Sequence, residues 1–256
     1  MPSLHRHALI TLLGLMLCGG PVRAADSELN ANALNALQRM GTYLRSLTHF
    51  RISASSHTDQ ILDSGQTLEF SHRTELQAVQ PDKLQITVSN GELTRSLYYN
   101  GQTFVLYNSR HGYFARSEAP PRIDQLLDQL NERYGIELPL ADLFRWNSTT
   151  AAEVGIDTAL YIGSEQVDGE TCTHYAYRQP DIDWQLWVRD GDQPLPCRLV
   201  ISRRDLAEQP RHSVDFHWDL KRPSPASAFE FNPPAGALAV PLRALDAAQP
   251  GLETKP

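Results

Sequence analysis

The feature that most constrains this chain is a change of period. From Phe50 onward, apolar and polar residues alternate in steps of two through many short segments, each closed by a turn signal. Arg51–His57, Thr67–Val79, Lys83–Val88, Thr94–Tyr99, Thr103–Tyr107 and Tyr113–Arg116 read as strands. The breaks between them fall at Asp63-Ser64-Gly65, Pro81-Asp82, Asn90-Gly91, Asn100-Gly101 and Asn108 to Gly112, with Pro120-Pro121 closing the set. Asn100-Gly101 is the strongest hairpin signal, because Asn and Gly accept the positive φ angles of a tight two-residue turn. A second set follows at Ala159–Val167, Thr171–Gln179, Trp184–Arg189, Arg198–Arg203, Ser213–Leu220 and Phe229–Phe231. Connections this short join antiparallel neighbours.

Two helical regions interrupt the pattern. Leu34, Leu37, Met40, Leu44 and Leu47 recur at steps of three and four, which puts them on one helix face. Ser27, with Asn30 nearby, can cap the start of that helix. Between the two strand sets, Ile123, Leu126, Leu127, Leu130 and Tyr134 form a second stripe, and Leu138–Trp146 reads as a short further helix with Pro139 in its first turn. Together these stripes carry more apolar surface than they can bury against each other, so a sheet must lie beneath them. One sheet of about ten or eleven strands curls rather than staying flat. The expected fold is therefore mainly β (α+β): a curved antiparallel sheet forming an incomplete barrel, capped by an N-terminal helix and an internal helical insertion. Helices over a concave face leave an apolar space between them and the sheet.

The first residues address the chain to the periplasm. Arg6 between His5 and His7 gives a basic start, Ala8–Cys18 is an uncharged apolar run, and Val22-Arg23-Ala24 ends in small residues. That is the layout of a signal peptide spanning residues 1–24, cleaved after Ala24 or Ala25. The apolar run stops at Gly19-Gly20-Pro21, short of the roughly 20 residues a bilayer-spanning helix needs. Cys18 is a poor lipidation site because Leu17, not a small residue, precedes it. The remaining chain divides into one domain over residues 27–236 and a flexible Ala- and Pro-rich tail over 237–256. A hydrophobic content of 41% supports a core, and a net charge of −7 argues against nucleic acid as a partner.

Two cysteines remain after cleavage, Cys172 and Cys197, in a compartment that permits a disulfide. A regular meander would set strands that flank a third about 10 Å apart, beyond the reach of about 7 Å that a bridge allows between Cα atoms. A disulfide and two buried thiols both stand as readings.

The order of elements, and several segments, resemble the LolA/LolB-like superfamily of periplasmic lipoprotein carriers. Gln80-Pro81-Asp82-Lys83-Leu84-Gln85-Ile86 followed by Leu97 to Tyr107 is similar to that superfamily's Pro-x-x-Leu strand and Asn-Gly-Gln hairpin. The stretches RMGTYLRSL, ERYGIELPLADL, VDGETCTHYAYRQPDIDWQLW and PLPCRLVI resemble, within it, a family of predicted periplasmic proteins of unknown function. The resemblance implies a hydrophobic cavity that takes acyl chains, and an arginine near its mouth that holds the closed form. Arg51, Arg73 and Arg95 all lie on strands, and none is singled out.

No residue pattern nominates an enzyme. A Gly-x-Ser-x-Gly elbow, a phosphate-cradling loop and a dinucleotide fingerprint are missing from the sequence. No His or Cys spacing suits zinc, and Asp181 with Asp183, and Asp190 with Asp192, sit where Asp serves turns. No cofactor or metal is expected. Tyr98, Tyr99, Tyr107, Tyr113 and Phe114 read as strand formers. Trp184 and Trp187 are an odd number apart on one strand and face opposite ways. The expected cavity lining is Leu37, Leu44, Leu126, Leu130 and Leu143 from the helices, with Trp184 or Trp187 from the sheet. The function this suggests is a non-catalytic periplasmic carrier or binding protein that holds a lipid, a lipoprotein's acyl chain or another apolar ligand in the cavity between sheet and helices. The alternatives are an envelope interaction or sensor module that binds a membrane-protein partner, and a hydrolase whose catalytic residues are dispersed.

Overall fold

The computed structural model describes residues 29–146 and 155–245. The expected signal peptide, with Cys18, and residues 246–256 of the expected tail lie outside them.

Helix α1, Ala31–Ser46, starts where the Asn30 side chain accepts hydrogen bonds from the backbone N–H groups of Asn32 and Ala33. This satisfies donors that the first turn of a helix leaves open. Its buried line is Ala33, Ala36, Met40 and Leu44. Leu34, Leu37 and Leu47, expected on the same face, are only partly buried and pack against the core at its margins. The small side chains let the helix axis lie close to the sheet, and the leucines then fill the flanks.

Among the described residues twelve strands make one open, curved sheet. The first set is β1 His49–Ile61, β2 Thr67–Val79, β3 Lys83–Ser89, β4 Thr94–Tyr99, β5 Thr103–Asn108 and β6 Tyr113–Glu118. The second is β7 Thr158–Val167, β8 Glu170–Arg178, β9 Ile182–Arg189, β10 Pro196–Arg203 and β11 Arg211–Asp219, with a short β12 at Leu238–Ala239. The spatial order is β12-β6-β5-β4-β3-β2-β1-β11-β10-β9-β8-β7. The first meander thus walks from the centre to one edge, and the second walks back from the opposite edge until β11 pairs with β1. The insertion carries the chain from one edge to the other and contains α2, Ile123–Tyr134, and α3, Asp142–Arg145.

Alternation divides the sheet into two faces. The inner face carries Phe50, Ile52, Leu76, Leu84, Ile86, Leu97, Tyr99 and Phe104, all buried with α1 and α2 in one core. Tyr99 ties this face to the start of the insertion by donating its hydroxyl to the Pro120 carbonyl at 2.5 Å. Burial, with the charges of Asp82 and Asp124, pushes the Tyr99 phenol up to about 12.

Four expectations are corrected here. Residues 138–146 do not form one helix: Leu140 takes φ +63°, a left-handed conformation, and only one helical turn follows it. Phe229–Phe231 is not a strand. Ala226–Phe229 is a 3-10 turn, and Phe231 lies on the outer face against Tyr98, Tyr107 and Phe114 at 5.2–5.3 Å between ring centroids. The segment assigned to a flexible tail from residue 237 is held to the sheet at its start, where Leu238 and Ala239 pair in parallel with Tyr113 and Phe114. Finally, the 10 Å spacing expected between the cysteine-bearing strands fails. Cys172 and Cys197 do lie on β8 and β10 with β9 between them, yet their Cα atoms are 6.7 Å apart and form a disulfide. Cys172 pairs with Arg189, the last residue of β9, and Cys197 is the extra residue of a bulge between Pro196 and Arg198. A bulge bends its strand, and here it brings β10 toward β8 where β9 ends.

Candidate functional site: an aromatic row under the helices

Of the expected lining residues, Leu44, Leu126, Leu130, Leu143 and Trp184 belong to one buried cluster, with Leu37 packed against it. These side chains fill the space between sheet and helices. Trp187 is corrected to the outer face, where it joins Val167, Cys172, Cys197 and Val200. The separation of three between the tryptophans along one strand enforces that split.

Around Trp184 the inner face becomes aromatic. The antiparallel register puts Tyr161 beside Tyr175, and Ala159 beside Tyr177 beside Trp184. The Tyr161 and Tyr175 rings meet edge to face at 6.0 Å, and Tyr175 meets Tyr177 at 6.5 Å. Tyr177 stacks on Trp184 at 4.1 Å, and Trp146, just after α3, closes the row edge-on at 6.3 Å. The row runs from Tyr161, 51% exposed at the sheet edge, to Trp184, 9% exposed. Neither Tyr175, Tyr177 nor Trp146 is evident as a site residue from sequence. The available signal was the spacing of two in Tyr175-Ala176-Tyr177, which puts both rings on one face.

The polar atoms of the row are unequally served. The buried Tyr177 hydroxyl donates to the Ala33 carbonyl of α1 at 2.9 Å. Burial raises the Tyr177 phenol well above its ordinary value, and the Tyr175 phenol is raised for the same reason. The Trp187 indole N–H donates to Glu165, and that of Trp218 to the Pro196 carbonyl. Among the described residues the Trp184 Nε1–H is buried with no partner. An unsatisfied buried donor costs about 1–3 kcal/mol, so this atom is the feature of the row that packing alone does not explain.

The helices are fastened over this face by a few polar ties. Arg45 of α1 donates to the Trp146 carbonyl at 2.9 Å, and Gln80 donates to the Leu44 carbonyl at 3.2 Å. Gly41 makes the first tie feasible, since a Cβ there would stand 3.1 Å from the Trp146 carbonyl oxygen. Arg145 pairs with Asp128 of α2 at 2.8 Å. Arg45, on a helix, is an arginine that strand reading does not nominate. Arg51 and Arg73 instead bond to Ser224 and Glu75.

A second polar cluster sits on the outer face. His174 stacks on Trp187 at 4.0 Å, bonds with Gln185 at 3.1 Å and lies 3.3 Å from Glu165. Burial holds the His174 imidazole below its usual value, against the opposing pull of Gln185 and Glu165. His212 is lowered too, chiefly by burial. The unfolded chain therefore takes up these two protons first as pH falls below about 6.5. Stability is accordingly greatest above that value and declines as acid protonates both groups. Thermal melts between about pH 7 and pH 5 are expected to show a falling Tm, and a His174→Gln/His212→Gln variant a flatter slope. An unchanged slope in the variant would assign the acid sensitivity to other groups.

An open polar groove of about 900 Å³ lies on the other half of the sheet, between the end of β6 and α2, lined by residues such as Glu118, Gln125, Asp128 and Gln129. Among the described residues no group of three or more His, Cys, Asp or Glu is placed to hold a metal ion.

A family model described as "Predicted periplasmic protein (DUF2092)" matches residues 33–243. The chain belongs to this family. Membership places it in the periplasm, and no helix among the described residues is long and apolar enough to cross a membrane. No curated protein matches it by sequence. Similar solved structures include the lipoprotein LppX of Mycobacterium tuberculosis, at 11% identity over 73% of this chain and 93% of that one, with a TM-score of 0.43. LprF of Mycobacterium bovis is similar at 13% identity over 81% and 98%, TM-score 0.45. The LolA-superfamily protein NE2245 of Nitrosomonas europaea is similar at 14% identity over 78% and 97%, TM-score 0.40.

Proposed function

We propose that this DUF2092 member is a non-catalytic binding or carrier protein of the periplasm, which takes a lipid, a lipoprotein's acyl chain or another apolar molecule between its sheet and its helices. The observation that carries this reading is the insertion itself. It crosses the inner face from one sheet edge to the other, and polar ties such as Arg45–Trp146, Gln80–Leu44 and Arg145–Asp128 fasten the helices around it. The Arg45 and Arg145 ties are exposed and contribute little each, so most of what holds the helices down is apolar contact. An apolar ligand can replace that contact with its own. The packed arrangement is then the closed state, and loading lifts the helices from the sheet. Mass spectrometry of lipids extracted from the natively purified protein tests the reading. A stoichiometric apolar molecule is expected, and repeated extraction of none would overturn it.

One observation favours a second reading, an interaction module for a membrane-protein partner. Tyr161 and Ile162, consecutive on the edge strand β7, are 51% and 46% exposed, and Leu29, which bridges to Ala159 of the same strand, is 43% exposed. Clustered exposed apolar side chains mark contact sites. Pull-down from envelope extract with a Tyr161→Ser/Ile162→Ser variant as control separates the two, since a partner lost in the variant supports this reading.

A further inference from the structure

We propose that the Trp184 indole N–H is a ligand anchor, and that it takes an uncharged carbonyl oxygen, the ester or amide that joins an acyl chain to the rest of its molecule. The inference rests on the reading of the chain as an apolar-ligand binder and names the chemistry that such a ligand carries at this point.

The argument begins from the accounting of buried donors. Trp184 is more than nine-tenths buried and its Nε1–H meets no acceptor among the described residues, whereas the indole N–H groups of Trp187 and Trp218 are both satisfied. Buried polar groups in folded proteins are nearly always paired, so an exception asks for a cause. The neighbours supply none. Tyr177 presents the face of its ring at 4.1 Å and commits its hydroxyl to Ala33, and Trp146 commits its carbonyl to Arg45. An acceptor must come from outside the row.

The surroundings then set the class of acceptor. The side chains packed around Trp184 are aromatic and aliphatic: Tyr177 and Trp146 beside it, with Ile201 paired across from it on β10. A carboxylate or phosphate brought here would lose its hydration with no cation to replace it, because Arg45 is already engaged. A neutral carbonyl loses far less and needs one donor, which Trp184 offers. The row supplies the remaining requirement, a way in: Tyr161 and Tyr175 extend the aromatic surface from Trp184 to the exposed sheet edge. With the carbonyl at the indole, the polar remainder of the molecule would lie back along that surface toward the edge, and the acyl chain would run inward among the leucines under the helices.

Two probes of matched length, methyl decanoate and undecane, test this on the mature protein. Indole N–H resonances of the four tryptophans are followed by NMR, with Trp184→Phe assigning its own signal. The expected result is ester binding about tenfold tighter than alkane binding, the scale of one buried hydrogen bond. The Trp184 signal should move downfield with the ester only, and Trp184→Phe should lose the preference and bind the ester no better than the alkane. Equal affinity of the wild-type protein for both, with the Trp184 signal indifferent to the ester, would overturn the anchor and leave apolar binding standing. Failure of both probes to bind would overturn the carrier reading and the anchor with it. Should Trp184→Phe not fold, the wild-type comparison of the two probes decides alone.

Discussion

Replacing Cys172 and Cys197 together by alanine is expected to lower the stability of the oxidised protein by about 3 kcal/mol. The bridge closes a loop with a sequence separation of 25, and the entropy removed from the unfolded chain by a loop of that size is of this order. The local setting adds to the effect. The disulfide sits in a small outer cluster with Val167, Trp187 and Val200, apart from the main core. It joins β8 to β10 around the end of β9, where the Arg189–Leu195 and Asp190–Thr171 backbone bonds finish the ladder. Trp187 then carries His174 by stacking and Arg198 by a cation–π contact at 5.9 Å. Loss of the bridge should therefore loosen the outer face around β8–β10 first. Denaturant unfolding of the double variant against wild type, with and without reductant, checks this. Reductant should destabilise wild type to about the level of the variant and leave the variant unchanged. A variant as stable as oxidised wild type would mean that the bulge and the apolar cluster hold the three strands unaided.

How far the sequence reveals this molecule depends on how local each feature is. Thr67–Val79 and Thr94–Tyr99 are read to the residue, because alternation and turn residues are properties of adjacent positions. The Asn100-Gly101 turn is equally local. Asn100 accepts from the N–H groups of Gln102 and Thr103, Gly101 takes φ +90°, and a Cβ there would crowd Asp82 at 3.0–3.2 Å. Long-range features are read less well. Phe229–Phe231 has the composition of a strand but finds three aromatic rings on the outer face in place of a ladder partner. The approach of the two cysteines depends on a bulge that composition does not signal. The helix stripe is placed correctly on α1, yet the buried line is rotated toward Ala33 and Ala36, because how closely a helix approaches is decided by the sheet beneath it. The candidate site divides in the same way. The two-face split of Trp184 and Trp187 follows from strand geometry alone. Which of them meets the helices, and which indole lacks a partner, is decided by the tertiary register of β8, β9 and β10 and by the Arg45–Trp146 tie.

Leu126→Ala is expected to produce a comparably large effect and bears directly on function. Leu126 is fully buried, on the α2 line with Ile123, Leu127 and Leu130, inside the cluster that also contains Leu44, Leu143 and Trp184. Truncating a leucine in a dense core removes its transfer free energy and leaves a void, which together amount to about 2–5 kcal/mol. For a domain of this size that lowers Tm by roughly 10 °C. The same change affects ligand binding in the opposite direction. If the packed state is the closed form of a carrier, its stability opposes loading, because the ligand must displace these contacts. A void at Leu126 weakens the closed form and leaves most of the sheet's apolar surface for the ligand. The variant should therefore melt lower when empty and gain more stability than wild type from a saturating apolar ligand. Thermal melts of both proteins, with and without added methyl decanoate, read the two effects on one sample. A large loss of stability with no change in the ligand-induced shift would mean that α2 never leaves the sheet, and the site would then be confined to the aromatic row beside α1.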